Sequence, residues 1–337
     1  QLEGIYSKTM NNVFFENLAL TKVGEVFAVP GVSASAAPFY SNASSAYANI
    51  INLKNTNKGY SYALSAQLEK YFDFGLDVAA SYTYGRSRSV NDGTSSVAYS
   101  NWKYNYSRDT NGPGEMGYSK FDIPHRVMVR LNYNSPKYCQ GWLSTSVGIV
   151  YTGTSGGRYS LTMNEKDDFN GDGWRGNNLL YIPTKDELSK MNFIASTDKK
   201  GNVTTADQAR QLFEDWIQGN SYARTHRGQY AERNSCMTDW ENNIDLHFGQ
   251  SIHLKNLVRL EFTLDVINFT NMLNKRWGTT YGNAYNVSPI MVNKIVTTGA
   301  AGNIVAEPSY TYNPNANPTP SDIASRWHMQ LGFRIAF

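Results

Sequence analysis

Cysteine is nearly absent from the 337 residues. Only Cys139 and Cys236 occur, too few for a disulfide scaffold or a thiolate metal site on their own. No apolar run approaches the roughly 20 residues that a membrane helix needs, which excludes a helical bundle in lipid. Charge is scarce too: 18% of residues carry it, against roughly 25% in ordinary soluble domains, so something else must cover the surface. The formal net charge of +3 gives neither the basic field of a nucleic-acid binder nor an acidic tail, and no nucleic-acid partner is expected. The histidines, His125, His226, His247, His253 and His328, show no HExxH spacing, and no G-x-S-x-G elbow, P-loop or dinucleotide fingerprint occurs. No enzymatic activity and no cofactor are therefore expected. The sequence starts at Gln1 without a basic region followed by an apolar stretch, so the expectation is a processed chain or a piece of a longer one.

What is plentiful is tyrosine, 23 residues against 15 phenylalanines, and strict alternation. Trp327, Met329, Leu331, Phe333, Ile335 and Phe337 alternate with His328, Gln330, Gly332, Arg334 and Ala336. This is the period of a strand with one apolar face. Val258, Leu260, Phe262, Leu264 and Val266 repeat it, as do Val127, Val129, Leu131 and Tyr133. Weaker copies lie at 60–68, 78–84, 143–151 and 244–248. An initial strand over 2–15 brings the count to about eight, each near the length that a tilted strand needs to cross lipid.

The connections alternate as well. Short turns at 73–75, 136–141 and 254–256 close hairpins, while 89–122, 154–239 and 271–325 are long. Short turns on one side and long loops on the other are the signature of a transmembrane antiparallel β-barrel. A mean hydropathy of −0.48 does not oppose this, because it averages lipid-facing residues with lumen-facing neighbours and wet loops. The other faces of these strands carry Arg126, Arg130, Asp245, His247, Arg259, Glu261, Asp265 and Arg334, a mixture that suits a wet lumen where charges pair across strands. Strand parity puts the long loops outside the cell and Phe337 at the periplasmic face, as an aromatic C-terminal assembly signal in outer-membrane lipid. Tyr82, Tyr84, Tyr133, Trp142, Tyr151 and Trp240 fall near strand ends, where aromatic girdles sit. A complete small barrel acting as adhesin or anchor, and a soluble secreted β-sheet protein that binds or hydrolyses, stay open on this pattern alone.

The segments FDIPHRVMVRLNY (121–133), HRGQYAERN (226–234) and DVINFTNMLNKRWG (265–278), with 55–72, 79–92, 168–183 and the terminal strand, resemble TonB-dependent outer-membrane receptors. The resemblance is to the Oar-like branch found in Bacteroidetes and myxobacteria. It implies the C-terminal portion of a plugged barrel of about 22 strands, importing a scarce ligand with energy from the TonB complex. The plug and the TonB-contacting segment are not recognisable in this chain and would belong to an N-terminal region. SusC-like glycan importers are relatives, but their characteristic C-terminal strand sequences are not seen, so a glycan substrate is not favoured.

Within the loops, Trp102, Tyr104, Tyr106 and Arg108 form an aromatic-rich stretch suited to ligand contact, since tyrosine gives large contact area at low entropy cost. Loops stacking on one another explain it equally well. Asp168, Asn170 and Asp172 place oxygen ligands at alternate positions, as in the first half of a calcium loop, but Leu179 stands where a bidentate Glu belongs. Two readings follow: a weak Ca2+ site, or an Asx-rich turn. Thr204 or Thr205 stands ahead of Ala209, Leu212, Phe213, Trp216 and Ile217, with Gln208 placed for a capping box and Gly219 as a stop. This predicts an amphipathic helix in the longest loop, a packing element or a docking surface for a surface lipoprotein. Cys139 and Cys236 are expected at opposite ends of the barrel and unpaired.

Overall fold

The computed structural model describes residues 1–254, 257–282, 286–300 and 302–337. Eight long strands follow one another in an antiparallel meander: β1 (Leu2–Lys8), β2 (Tyr60–Tyr71), β3 (Leu76–Ser89), β4 (His125–Asn134), β5 (Leu143–Thr154), β6 (Glu241–Leu254), β7 (Val258–Ile267) and β8 (His328–Ala336). Each pairs with its sequence neighbour. β1 and β8 are the two edges, and neither pairs with the other. The sheet is thus an open wall rather than a closed barrel.

Register shows why these segments are strands. Across β4 to β6, Tyr133 faces Val147, which faces Phe248; Leu131 faces Ile149, which faces Leu246. The row continues through Leu246 to Val266 to Met329, and through Phe248 to Leu264 to Leu331. Apolar side chains meet apolar side chains across the sheet, so a slip by one residue would turn every one of them to the wrong face. Much of this row lies open, most of all on the last strand: Leu331 is 79% and Phe333 58% exposed, while Val266 is covered. An apolar face this wide and bare is what lipid solvates.

Two of the short turns are described. In the first, Phe72 N–H donates to Leu76 and Gly75 N–H to Phe72. Gly75 has φ +97°, and a Cβ there would lie 2.1 Å from the carbonyl oxygen of Asn134, so only glycine fits. The second joins Asn134 to Leu143 through Cys139, Gln140 and Gly141, all at positive φ. The expected turn at 254–256 includes Lys255 and Asn256, which lie outside the described residues, but β6 and β7 on either side of it are paired.

The other end differs from the sequence expectation. The initial strand stops at Lys8 instead of continuing to Phe15; after Asn11, at φ +50°, a separate strand Asn12–Asn17 pairs with Ile51–Thr56. The alternation of Val13 and Phe15 belongs to that hairpin. Four long connections therefore leave this end, 9–59, 90–124, 155–240 and 268–327, where three were expected. They fold together into a cap. Its central sheet runs in the order Asn164–Glu165, Ile290–Thr298, Ile304–Tyr312, Leu20–Phe27, Ala36–Asn42, so the first, third and fourth connections share one set of ladders. Val26, Leu161, Phe169, Ile182, Phe213, Ile217, Ile290 and Tyr310 are fully buried within it. Each large apolar side chain so buried contributes about 1.5–3 kcal/mol, and the cap has a core of its own, apart from the lipid-facing wall.

Helices are short. α1 (Ala98–Lys103) and α2 (Lys185–Lys190) precede the longest, α3 (Ala206–Gly219). Thr205 caps α3 with the reciprocal Gln208 bond, and Ala209, Phe213, Trp216 and Ile217 turn inward while Trp216 Nε1 donates to the carbonyl of Ala316 at 2.8 Å. Among the described residues no helix is long and apolar enough to cross a membrane.

Candidate functional site: the charged face and the base of the cap

The face of the wall opposite the apolar one collects the eight charged positions singled out in the sequence. Register puts Arg126 opposite Thr154, Arg130 opposite Val150, Val150 opposite Asp245, and His247 opposite Asp265. Glu261 sits opposite Arg334, and Arg259 opposite His253. Neighbouring charges pair, Arg130 with Asp77 at 3.0 Å and Arg259 with Glu261 at 3.1 Å, and His247 Nδ1 hydrogen-bonds with Asp265 Oδ1 at 2.7 Å. Asp245 accepts the backbone N–H of Asn268 at 2.8 Å, which fixes where β7 ends.

On this face Ser146 Oγ lies 3.5 Å from His247 Nε2, giving hydroxyl, imidazole and carboxylate in relay order. Gly249 makes the approach possible, since a Cβ there would fall 2.3 Å from Ser146 Oγ. β5 and β6 are paired on both sides, so their N–H groups are spent in the ladders. No pair of free N–H groups remains beside Ser146 to stabilise an oxyanion.

Where wall meets cap, a set of arginines gathers around Tyr118. Arg158 lies 3.8 Å, Arg88 4.6 Å and Arg86 5.6 Å from its ring centroid. Arg158 donates from Nε to Asp122 at 2.7 Å and from Nη1 to the carbonyl of Asn234 at 3.2 Å. Arg88 pairs with Glu232. Arg233, 6% exposed, donates to the carbonyls of Val90 (2.6 Å) and Ser89, to Asn105 Oδ1 and to Ser89 Oγ (3.2 Å). Burial pulls the Arg158 and Arg233 guanidinium pKa values below the ordinary arginine value, opposed chiefly by Asp122 and Asp92 respectively.

Above this cluster is a cavity of about 450 Å³ whose walls include Asn91, Asp92, Tyr104, Asn105, Tyr106, Lys120, Arg158, Arg233, Asn234 and Asn286. Three of the long connections contribute to it. Of the four ligand-contact candidates, Tyr104 and Tyr106 line this cavity. Trp102 does not: it is 2% exposed, and its indole N–H donates to Thr110 at 3.1 Å. Arg108 also points elsewhere, donating to the carbonyl of Ala36 at 2.9 Å across to the first connection. Tyr104 is 56% exposed and meets Trp174 edge-on at 5.5 Å, with Lys103 Nζ 4.0 Å over the Trp174 ring.

Asp168, Asn170 and Asp172 are placed as loop fasteners. Asp168 accepts the N–H groups of Gly171 (2.9 Å) and Gly173 (2.7 Å); Asp172 accepts those of Trp174 (2.7 Å) and the Asn177 amide (2.9 Å). The carbonyl of Asn170 receives Tyr40 N–H at 2.7 Å, docking the loop on the first connection. Burial pushes Asp168 up to about 6 and the nearby Glu165 up to about 7, and raises Asp172. Among the described residues no three His, Cys, Asp or Glu groups converge as metal ligands. Their oxygens face N–H donors, as in Asx turns.

Cys139, in an exposed turn at one end of the wall, and Cys236, buried in the cap, are both free. Phe337 is 97% exposed at the short-turn end of β8. Sequence reasoning on side-chain chemistry missed Asp122, Arg158, Arg233 and Asn234. The signal was available for three of them, because Asp122 stands in the FDIPHRV segment and Arg233 and Asn234 in YAERN.

A search of curated proteins and a search of solved structures returned no match. A family model described as outer membrane beta barrel domain matches residues 7–326. With an apolar face on the wall strands, much of it exposed, and a charged face behind it, the chain belongs to the outer membrane beta-barrel family.

Proposed function

We propose that this chain supplies part of the wall and the outer cap of an active transporter, one that imports a scarce ligand across the bacterial outer membrane with energy from the TonB complex. The observation that carries the reading is the open sheet: β1 and β8 both end in unpaired edges, while the face between them is lined with paired charges. A barrel closed on eight strands is filled by its own side chains, and this charged face instead suits a wider, wet lumen. Further strands, and a plug with its TonB-contacting segment, would come from an N-terminal region of the same polypeptide.

In this reading the cap stands outside the cell and the short turns, with Phe337, face the periplasm. Lipid covers the apolar rows, and the exposed face of α3 offers a place for a surface lipoprotein. In this reading the chain has no enzymatic role. A second reading draws on strand parity: β1 and β8 run in opposite directions and could pair, giving a complete eight-stranded anchor or adhesin.

The mass of the native polypeptide, detected in outer-membrane extracts with an antibody against the cap, separates the two. The transporter reading expects a chain far larger than 37.8 kDa, and growth on the scarce ligand lost when TonB is deleted. A native species of 37.8 kDa contradicts it.

A further inference from the structure

Where β7 leaves the wall, the chain folds into a tight segment, Asn268–Gly278, built on α4 (Phe269–Leu273). Asn268, at φ +55°, donates from Nδ2 to the carbonyls of Gly278 at 2.7 Å and Ser325 at 2.8 Å, and Asn271 Nδ2 donates to that of Trp277 at 2.9 Å. Gly278 has φ +58°, and a Cβ there would collide with Asn268 Oδ1, so only glycine closes the segment. This frame holds Met272, Leu273 and Trp277 out as exposed side chains, and no residue of α4 is buried. The cap core takes none of the three. Apolar groups held open on a fixed backbone need a cover from outside the chain.

The segment continues the apolar face of the wall. α4 packs against β6, and Val266, the last residue of the β7 row, is covered although Met329 opposite it lies open. Trp240 stands just before β6, Trp277 just after β7 and Trp327 just before β8, so three exposed tryptophans mark the same end of three adjacent strands. Tryptophan at strand ends sits at the depth of the lipid headgroups.

Charge adds a second, independent observation. Lys275 and Arg276 lie between Leu273 and Trp277, both are exposed, and neither side chain has a partner among the described residues. No acidic residue occurs between Asp265 and Glu307. On the adjoining segments Asp322 is taken by Arg326 at 2.5 Å, and Glu241 by the Thr280 hydroxyl and the Tyr281 N–H. A free anion would answer the two cations but leave the apolar side chains in water. An anionic lipid answers both, since its phosphate and its acyl chains lie at successive depths.

We propose that Asn268–Gly278 is a lipid-binding ledge, on which Lys275 and Arg276 hold the phosphate of an anionic lipid headgroup while Met272, Leu273 and Trp277 rest against the start of its acyl chains. The proposal holds whichever leaflet the cap faces and whether or not TonB drives the native protein.

The test is native mass spectrometry of the native polypeptide, extracted from outer membranes and released from micelles loaded with equal amounts of phosphatidylglycerol and phosphatidylcholine. The protein is expected to retain phosphatidylglycerol about tenfold over phosphatidylcholine, the order given by two basic residues at an anionic lipid surface. Lys275→Gln with Arg276→Gln changes only exposed, unpartnered side chains, so the fold is kept, and it is expected to remove most of that preference. Lys199→Gln with Lys200→Gln removes the same charge from an exposed turn of the cap and is expected to leave the preference intact. An unchanged preference in the first variant overturns the proposal, as does an equal fall in the second, which would mean attraction to net charge alone. Displacement of phosphatidylglycerol by excess inorganic phosphate overturns it too, as does a protein subunit retained in place of lipid and lost in the first variant.

Discussion

Arg158 and Asp122 meet at 2.6 Å with 3% and 1% of their side chains exposed. One residue follows β5 into the cap and the other precedes β4, so a single ion pair ties the third connection to the second at the top of the wall. Removing one partner of a buried pair costs about 3–5 kcal/mol when the other charge is left alone; Asp122 keeps Arg86 Nη1 at 3.8 Å, which places the loss at the lower end. Arg158→Met should destabilise the cap by that amount in urea unfolding followed by near-ultraviolet circular dichroism. The double change Arg158→Met with Asp122→Asn should recover part of the loss. If the single change is neutral, the pair does not hold the cap.

The lipid face gives a second expectation. Leu260 lies in the apolar row opposite Ile252 and Ile335, while Thr263 lies on the charged face opposite Gly249 and Gly332. Leu260→Arg should cost about 2–4 kcal/mol in unfolding from lipid vesicles and Thr263→Arg much less. Equal costs would mean that the two faces are wrongly assigned.

Acidity should act on the cap through the 165–172 loop. Glu165 and Asp168 have folded-state pKa values of about 7 and about 6, raised by burial from 4.5 and 3.8. For carboxyl groups shifted upward, the folded state holds protons more tightly. Their stabilising contribution is present below the unfolded values and is lost as pH rises through about 6 to 7. The cap should therefore melt higher at pH 5 than at pH 8, and Glu165→Gln should flatten that dependence. A melting temperature that climbs across this interval instead would place the two carboxyls in a different environment.

The thiols offer a chemical check on where the elements lie. Cys139 is exposed, whereas Cys236 is 5% exposed and burial pushes its thiol up to about 11. A maleimide at pH 7 should modify Cys139 within minutes and leave Cys236 untouched until the cap is unfolded. Rapid double labelling of the folded protein would open the cap core around Tyr159 and Cys236.

How much of this was legible beforehand depended on distance along the chain. The wall strands declare themselves, because lipid on one side forces a period of two, and 258–266 or 327–337 can be read residue by residue. α3 was equally plain: Thr205, Gln208 and Gly219 are local signals. The boundary at Lys8 was not, since Val13 and Phe15 continue the same alternation in a hairpin with a partner some 40 residues away. The cap as a folded unit was also hidden. Its ladders join residues 24–26 to 304–306, and nothing in either segment announces the other. The cavity was half visible: Tyr104 and Tyr106 stand out as aromatics, but Trp102 resembles them and is structural, and Arg233 is distinguished only by which acceptors surround it.

The central claim, that this sheet is one stretch of a wider transmembrane wall, is tested most directly at its two edges. Cysteines are placed in β1 and β8 on the same face, Ile5→Cys with Gln330→Cys or with Arg334→Cys, and oxidised in the native outer membrane with Cys139 replaced by serine. Ser65→Cys with Thr83→Cys, whose side-chain oxygens lie 3.0 Å apart on adjacent strands, is the positive control. The account predicts a disulfide in the control and none between β1 and β8. Cross-linking of β1 to β8 as efficient as the control would show that the eight strands close on themselves, and would contradict it.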